Sequence, residues 1–309
     1  MCISMILVTG GTGFIGSALV RQLASSGYPV RLLIHPSKYS PKIPKKIPLE
    51  VALAGFNDES GIRAALKDVD YIYHLAGAEQ LGSRADLLRV DIEGTRILAK
   101  MAAEMHIERF VYLSHLGANR ASAFPVLKAK GIAESVIKNE SLNFTIIRSA
   151  IVFGENDHFT NNLRRLINIA PGFLFVPGKG DSLLQPIWID DLITCLTWTI
   201  DLQDTNNQIL EIGGPEYLSI KDVMLTIMKI TGKKREILEM NPVYMHLLTE
   251  FLENFSKKFP TSVFWLDYLS ENRICALDSL TNHFKIKPAR FIQHLDHLQH
   301  KGKKLRDRG

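Results

Sequence analysis

The residues with the clearest chemical meaning are three glycines near the N-terminus of this 309-residue chain. They lie in the segment Thr9-Gly-Gly-Thr-Gly-Phe-Ile-Gly16, which follows the apolar run at residues 5–8. In such a loop the first glycine allows a tight turn, the second lets a pyrophosphate approach the backbone, and the third lets a helix pack closely on a strand. A helix that begins here also directs free N–H groups and its positive dipole end toward the phosphates. The segment therefore predicts a dinucleotide site formed by Gly10, Thr12, Gly13, Phe14, Ile15 and Gly16.

A second group of residues bears on the choice between NAD and NADP. NAD-selective sites usually carry an acidic residue at the end of the second strand, where it binds the ribose 2′-hydroxyl. This chain has His35 there, followed by a loop rich in lysine and proline. Because no carboxylate repels a 2′-phosphate, and because Lys38 can pair with one, we expect NADP(H) to be preferred over NAD(H). The alternative for this loop is a solvated connector.

These residues need a sheet to position them, and short apolar runs alternate with helical patterns through the first half of the chain. Strands are predicted at residues 5–9, 30–34, 49–53, 70–75, 110–114 and 144–148, and helices at 14–26, 60–67, 86–105 and 125–139. All-apolar strands separated by helices are typical of a parallel sheet covered on both faces. The predicted fold class is α/β, with a Rossmann-type doubly wound parallel sheet.

Beyond residue 151 the alternation gives way to loops rich in proline and glycine, with helices predicted at 223–230 and 244–255. We expect residues 1–150 to form the nucleotide-binding domain. Residues 151–309 are expected to form mainly a smaller, substrate-side C-terminal lobe that ends in a basic tail. Within a returning segment near 186–213, residues 186–190 and 208–212 are predicted to rejoin the main sheet as strands.

Several later segments carry motifs of the same family pattern to which the glycine loop belongs. They lie at residues 70–77, 91–95, 111–114, 145–154 and 185–191. Together with the GxxGxxG spacing, they resemble the extended and atypical branches of the short-chain dehydrogenase/reductase superfamily. The closest resemblance is to the atypical group that contains the NAD(P)-binding accessory subunit of respiratory complex I, and it covers about residues 5–214. It implies that Leu75, Ala76 and Gly77 lie beneath the adenosine half of the cofactor. It also implies that Ser149, where the family usually has proline, lies on the segment that passes the nicotinamide.

The resemblance assigns catalytic roles through the family pattern Ser…Tyr-x-x-x-Lys. In that pattern the tyrosine exchanges a proton, the lysine lowers the tyrosine pKa and binds ribose, and the serine orients the substrate oxygen. Ser114 is the implied serine. Residues 122–134 occupy the region of the tyrosine and the lysine, yet they contain no tyrosine. Classical alcohol dehydrogenation is therefore in doubt, although hydride transfer by a bound cofactor remains possible.

Two registers can place the family lysine in this region. They pair Phe124 with Lys128 or Val126 with Lys130, and lysines two apart point to opposite sides of a helix. Lys130 shares a stripe at helical spacing with Val126, and Glu134 follows it by four residues as in the family. Lys130 is therefore predicted to bind the nicotinamide ribose, with Lys128 as the alternative.

Other chemically capable residues suggest no further site. His294, His297 and His300 have a metal-like spacing, but a solvated helix face is predicted for them and no metal is expected. His115 follows Ser114 and could line the cleft, but a loop residue without a special role is the favoured prediction. The three tryptophans, Trp188, Trp198 and Trp265, are predicted to lie in the core.

Charge and cysteine content limit the possible partners and compartment. The formal charge is +5, but residues 35–49 and 301–309 each carry a net +4, so the rest of the chain is near −3. A nucleic-acid partner is not expected, and the tail is predicted to be a frayed terminus. Three widely spaced cysteines predict neither a disulfide scaffold nor a zinc site. With no signal-peptide pattern and no 18-residue apolar run, we expect a cytoplasmic protein without an integral membrane segment.

The predicted function is that of an NAD(P)-binding protein with a small-molecule substrate. We expect an NADPH-dependent oxidoreductase, or an epimerase- or dehydratase-like enzyme, acting on a small organic molecule. A homo-oligomer or a larger complex is compatible with this. The alternative is a non-catalytic, NADP(H)-bound structural or redox-sensing subunit. The missing tyrosine favours the alternative, whereas Ser114 and the lobe beyond residue 151 favour the enzyme.

Overall fold

A computed structural model describes residues 4–36, 43–44, 47–255 and 260–299. In chain order its strands are β1 (Ile6–Thr9), β2 (Val30–Ile34), β3 (Glu50–Leu53), β4 (Tyr71–His74), β5 (Arg109–His115), β6 (Phe144–Ser149), β7 (Val152–Phe153), β8 (Phe173–Pro177), β9 (Leu183–Leu184), β10 (Ile187–Trp188), β11 (Gln208–Ile212), β12 (Leu218–Ser219) and β13 (Glu236–Met240). Its α-helices are α1 (Phe14–Ser25), α2 (Glu59–Ala65), α3 (Gly94–Glu104), α4 (Pro125–Asn139), α5 (Phe159–Ile169), α6 (Ile189–Trp198), α7 (Ile220–Thr231), α8 (Pro242–Phe255), α9 (Val263–Leu269) and α10 (Ser279–Phe284).

The main sheet has seven parallel strands in the order β11-β6-β5-β4-β1-β2-β3. Ile6 of β1 lies opposite Val30 of β2 on one side and Tyr71 of β4 on the other. The direction in which successive strands are added reverses between β1 and β4. In doubly wound sheets, ligands bind in the crevice at the carboxyl ends of the strands at this reversal. The predicted α/β fold with a doubly wound parallel sheet is confirmed.

Helices cover both faces of this sheet, which explains why its central strands are apolar throughout. The helices α1, α6 and α10 bury Leu19, Leu192 and Leu280 on one face. The helices α2, α3 and α4 bury Ile62, Leu98 and Ile137 on the other. The second half of the chain therefore contributes helices to the main sheet as well as forming the lobe.

The two segments expected to rejoin the sheet behave differently. Residues 208–212 form β11, which pairs in parallel with β6 at the sheet edge. The expectation for residues 186–190 was wrong, because Ile187 and Trp188 pair with β7 in a separate two-stranded ladder. The neighbouring position beside β6 is taken by β11, and α6 begins at Ile189, directly after this ladder.

The lobe is built from α5, α7, α8 and α9 with the short ladders β8–β13 and β9–β12. It has a core of its own that includes Phe153, Val223, Met224 and Phe264. This core lies beside the carboxyl ends of β5 and β6, as the contact of Phe264 with the His115 ring shows. The lobe therefore supplies one wall of the crevice that the sheet opens.

Candidate functional site

The glycine loop connects the end of β1 to the start of α1. Gly10 has a φ of +69°, and a Cβ added there would lie 2.7 Å from backbone atoms of Leu75 and Ala76. A Cβ on Gly16 would overlap the Gly10 carbonyl, because the first turn of α1 packs directly on the loop. Both positions therefore require glycine, and the loop leaves its backbone open toward the sheet edge.

On the adenosine side of this loop lies an open cleft. Of the predicted cofactor residues it brings together Gly10, Thr12, Gly13, His35, Ala76 and Gly77. Lys38 lies outside the described residues. The side chains of this cleft that sequence reasoning missed include Phe56, Asp86 and Arg89.

A second cavity lies on the other side of the loop, between the sheet and the lobe. Of the predicted residues it brings together Gly13, Phe14, Ile15, Leu75, Ser114, Lys130 and Ser149. The two cavities meet at Gly13, which lines both. Gly16 lines neither and instead packs on Gly10. Two connected cavities on either side of a glycine loop fit the two halves of a dinucleotide.

Lys130 extends from α4 into the second cavity, whereas Lys128 is exposed. The Lys130 Nζ lies 3.0 Å from Asp91 Oδ1 and 3.9 Å from Glu79 Oε2. Asp91 belongs to a π-helical turn, Leu88–Glu93, that leads into α3, and Glu79 begins the turn Glu79–Arg84 after β4. The expected single helix at 86–105 is therefore interrupted by this π-turn, a feature frequent at functional sites.

The surroundings of Lys130 keep it charged. Burial disfavours the cation, but the Tyr112 hydroxyl and the carboxylates of Asp91 and Glu79 raise the pKa of Lys130 well above its ordinary value. Burial also disfavours the Glu79 anion, yet Lys130 and then His115 outweigh that effect and lower the pKa of Glu79. The shifts therefore favour a charged Lys130 beside an ionised Glu79, with Asp91 Oδ1 3.0 Å from the ammonium group.

Ser114 is bonded to a carboxylate. Its hydroxyl donates a hydrogen bond of 2.6 Å to Glu134 Oε1, and both residues are buried. Glu134 also accepts from Arg148, whose Nη2 lies 2.7 Å from Glu134 Oε2. Because its proton is directed to Glu134, the Ser114 oxygen presents lone pairs rather than a donor to the cavity.

A buried histidine fixes the strand ends beneath the glycine loop. His74 Nδ1 lies 2.7 Å from Thr9 Oγ1, and His74 Nε2 lies 2.9 Å from Thr95 Oγ1. Burial, followed by the positive charge of Lys130, lowers the pKa of His74 to about 3. The imidazole is therefore neutral and acts as a hydrogen-bonded strut rather than as an acid.

His115, predicted to have no special role, lines the second cavity at the end of β5. Its Nε2 lies 3.9 Å from Glu79 Oε1, and its side chain is 24% exposed. Its ring contacts Phe264 and Tyr268 of α9, which line the cavity together with Trp265. Only the position of His115 next to Ser114 signalled this arrangement in the sequence.

Some of the remaining predictions were wrong. Trp198 is 41% exposed at the end of α6 rather than in the core, whereas Trp188 and Trp265 pack against core clusters and Trp265 also lines the cavity. His294 and His297 lie on short 3-10 turns rather than on a solvated helix face. His294 stacks on Trp188, with ring centroids 3.7 Å apart, because the turn packs against the chain before α6. His300 lies outside the described residues.

Across residues 4–36, 43–44, 47–255 and 260–299, no group of three or more His, Cys, Asp or Glu side chains is placed to hold a metal ion. In the same part of the chain, no helix combines the length and apolar character needed to cross a membrane.

Comparison with known proteins defines the class. A family model described as NAD(P)H-binding matches residues 10–165, just over half of the chain. The chain belongs to this NAD(P)H-binding family, and the match runs from the glycine loop directly after β1 into α5.

Individual relatives are more distant. The chain is 27% identical over 225 residues to "NADH dehydrogenase [ubiquinone] 1 alpha subcomplex subunit 9, mitochondrial" of Arabidopsis thaliana, covering 70% of this chain and 55% of the plant subunit. It is 24% identical over 254 residues to "Photosystem II assembly factor Ycf39" of Cyanophora paradoxa, covering 78% and 73%. The chain thus spans about half the length of the plant subunit.

Among solved structures, UDP-glucuronic acid 4-epimerase from Bacillus cereus, in complex with UDP-glucuronic acid and NAD, has the same fold. The TM-score is 0.70 at 19% identity, covering 95% of this chain and 98% of the epimerase. The resemblance to the extended and atypical short-chain dehydrogenase/reductases is confirmed.

Proposed function

We propose that this protein is an NAD(P)H-dependent oxidoreductase that reduces a carbonyl group of a small organic substrate. The observation that carries this proposal is the second cavity, which meets the adenosine-side cleft at Gly13 and is lined by Glu79, Ser114, His115 and Lys130. When bound there, a nicotinamide supplies the hydride. The residues of this chain then have to hold the ribose, orient the substrate oxygen and provide a proton.

Each of these tasks has a candidate. Lys130 is buried and charged beside the cavity, so it can donate hydrogen bonds to the nicotinamide ribose. Ser114 can accept a hydrogen bond but cannot donate one to a carbonyl oxygen while its proton is bonded to Glu134. We therefore assign the proton donor to His115, which lines the cavity next to Ser114 and whose Nε2 lies 3.9 Å from Glu79 Oε1.

The proposed reduction adds one hydride and one proton to the carbonyl group of the substrate. The hydride adds to the carbonyl carbon, and the proton passes from His115 Nε2 to the carbonyl oxygen, which gives an alcohol and a neutral imidazole. Because the His115 side chain is partly exposed, water can restore its proton.

Of NAD(H) and NADP(H), we propose NADP(H) as the cofactor. His35 replaces the acidic residue that would repel a 2′-phosphate, and the cationic Arg89 lines the same cleft. Asp86, which accepts a hydrogen bond from the Arg89 backbone N–H, is the one described carboxylate among the lining residues of this cleft. A cytoplasmic location is part of the proposal, and the free thiols of Cys195 and Cys275 support a reducing compartment.

A second candidate function is a cofactor-bound subunit without turnover. Val126 occupies the position four residues before Lys130 where the family has tyrosine, and Ser114 is bonded to Glu134. Two of the relatives are named as a complex subunit and an assembly factor. These observations favour a role in which the bound nucleotide stabilises the fold or reports the redox state.

The experiment that separates the two functions follows NADPH absorbance with purified protein and a panel of aldehydes, ketones and enones. We expect oxidation of NADPH with at least one carbonyl class. His115→Asn should lower kcat by roughly a hundredfold while the Kd for NADPH is unchanged. His158→Asn, which alters another histidine of the same cavity, is the matched control. Tight NADPH binding with no oxidation across the panel would establish the subunit role instead.

A further inference from the structure

The wall of the second cavity offers a hydrogen-bond acceptor directly beside His115. The Ser114 hydroxyl donates to Glu134 Oε1 at 2.6 Å. Glu134 acts as an acceptor, because the Nε and Nη2 groups of Arg148 also donate to its carboxylate, at 3.0 and 2.7 Å. The Ser114 proton is therefore committed to the protein, and a ligand meets the remaining lone pairs of the Ser114 oxygen.

A second serine of this wall has its proton committed in the same way. Ser149 lies opposite His115 in the pairing of β6 with β5, and its hydroxyl donates to the Ala150 carbonyl at 2.8 Å. The family resemblance puts Ser149 on the segment that passes the nicotinamide. Ser114, which directly precedes His115 in the chain, is therefore the acceptor that is left for the substrate.

An acceptor next to the reacting carbonyl disfavours ligands that carry no donor. Ser114 is 1% exposed, so a substrate that fills the cavity separates its oxygen from water. A buried acceptor that loses water without gaining a partner costs free energy, and a site built around such a group rejects analogues that lack the matching donor. A hydroxyl on the carbon next to the carbonyl would satisfy Ser114 and present the carbonyl oxygen to the neighbouring residue, His115.

The aromatic side chains of the lobe bear on the other substituent of the carbonyl. Phe159, Phe264, Trp265 and Tyr268 line the cavity. The ring centroid of Phe264 lies 5.9 Å from that of His115, and the ring centroid of Trp265 lies 5.1 Å from that of Phe264. Rings arranged in this way favour an aromatic group, which they contact by offset stacking or edge to face.

The charges of the cavity disfavour an anionic substrate. Among the described residues that line it, Lys130 is the one lysine or arginine, and its ammonium group already pairs with Asp91 and Glu79. A carboxylate or phosphate on the substrate would lose water here without gaining a lysine or arginine partner. The cavity therefore fits an uncharged substrate.

We propose that the substrate is an uncharged aryl ketone with a hydroxyl group on the carbon next to the carbonyl. The hydroxyl donates to Ser114 Oγ, and the aromatic ring packs against the side chains of the lobe. The carbonyl carbon accepts the hydride of NADPH, and the carbonyl oxygen takes the proton of His115 Nε2 with the electron pair of the broken π bond. The products are a vicinal diol, NADP⁺ and a neutral imidazole. This inference rests on the proposed function, whose site and reaction it uses.

The test compares three ketones with the wild-type protein. The first, α-hydroxyacetophenone, carries the donor, whereas α-methoxyacetophenone keeps the oxygen but cannot donate, and acetophenone is smaller and lacks the oxygen. The value of kcat/KM for NADPH oxidation should be at least about thirtyfold higher for α-hydroxyacetophenone than for either analogue. The same preference should appear in the Kd values of the ketones for the protein loaded with NADP⁺, where no hydride can be transferred to the carbonyl.

A variant at Ser114 separates this role from a structural one. In Ser114→Ala the ratio of kcat/KM between the hydroxy and methoxy ketones should fall to nearly one, while the Kd for NADPH is unchanged. A purely structural role of Ser114 would lower kcat/KM for all three ketones alike and keep the ratio. Ser135→Ala is the matched control, because Ser135 follows Glu134 on α4 but bonds to Arg120 at an exposed position. Thermal melting establishes that each variant is folded, and the wild-type ratios decide on their own if Ser114→Ala is not.

Two results would overturn the inference. One is reduction of the methoxy ketone as efficiently as the hydroxy ketone, and the other is equal Kd values of the three ketones for the protein loaded with NADP⁺. Failure of the proposed function looks different, since then no carbonyl compound is reduced at all. In that case a Kd preference for α-hydroxyacetophenone that Ser114→Ala abolishes would still support the binding site, and the lack of such a preference would reject it.

Discussion

Lys130 Nζ lies 3.0 Å from Asp91 Oδ1 in the wall of the second cavity. The two residues come from different elements, α4 and the π-turn before α3, and each is almost completely buried. Glu79 adds a second carboxylate to the same ammonium group. The lysine is thus neutralised by the protein itself, and its side chain is held in place without the tyrosine found in related enzymes.

Removing the Lys130 cation should destabilise the fold more than removing a neighbouring one. In Lys130→Met, two buried carboxylates lose their partner, and we expect the free energy of unfolding to fall by about 3–5 kcal/mol. Lys128→Met, two residues away on an exposed position, should change it by less than about 0.5 kcal/mol. Urea denaturation measures both variants. Equal stabilities would show that the cluster does not contribute to the fold.

The glycine loop gives a prediction in which strain and steric overlap can be separated. Gly10→Ala forces an alanine into positive φ and into the backbone of Leu75 and Ala76. Gly232→Ala has nearly the same φ, +66°, but meets no atom within 4 Å. In both variants the free energy of unfolding should fall by about 1 kcal/mol, because an alanine is strained at positive φ. Only Gly10→Ala should weaken NADPH binding, by about tenfold or more, because only there must the phosphate loop move.

Isothermal titration of both glycine variants with NADPH decides between these effects. Undiminished affinity in Gly10→Ala would mean that the loop does not contact the dinucleotide.

Cofactor selectivity depends on Arg89 in the adenosine-side cleft. Arg89→Ala should raise the Kd for NADPH by roughly tenfold, which is the loss expected for one cation paired with a phosphate, and leave NADH unchanged. Arg84→Ala is the control, because Arg84 lines a different cavity. Fluorescence titration of the wild type and both variants with each cofactor gives the dissociation constants to be compared. If NADH binds the wild type as tightly as NADPH, the selectivity proposal fails.

The sequence predicted the scaffold more completely than the chemistry. The apolar runs of strands and the spacing of apolar residues in helices are local features of the sequence. The elements β1, β2, α1 and α4 therefore lie where these patterns predict them. Positions 186–190 were misplaced, because whether a short apolar run joins a sheet depends on which edge is free.

The site residues show the same limit. Spacing within one helix, together with Glu134 four residues later as in the family, favoured Lys130 over Lys128, and the structure places Lys130 in the cavity wall and Lys128 on the surface. Glu79 and His115 could not be found this way, since they meet 36 residues apart in the chain and only after β4 and β5 pair. The hydrogen bond from Ser114 to Glu134 was likewise hidden in the sequence, and it directs toward Glu134 the proton of a serine that the resemblance expected to orient the substrate oxygen.

The buried histidine beneath the loop predicts how stability changes with pH. The folded pKa of His74 is about 3, below its ordinary value of 6.5, because of burial and then the charge of Lys130. As pH falls below 6.5, His74 therefore binds a proton in the unfolded chain but not in the folded chain. Stability is fully present above 6.5 and is lost as pH falls toward 3, at about 1.4 kcal/mol per pH unit.

His74→Asn removes this titration, so its free energy of unfolding should depend less steeply on pH between 6.5 and 4.5 than that of the wild type. The variant will also be less stable at every pH, since it alters the bonds to Thr9 and Thr95, but only the slope reports the imidazole. His106→Asn, at an exposed histidine, is the control and should keep the wild-type slope. Chemical denaturation in a series of buffers measures all three proteins. A slope in His74→Asn equal to that of the wild type would show that His74 takes up its proton in the folded state, and the neutral strut would have to be abandoned.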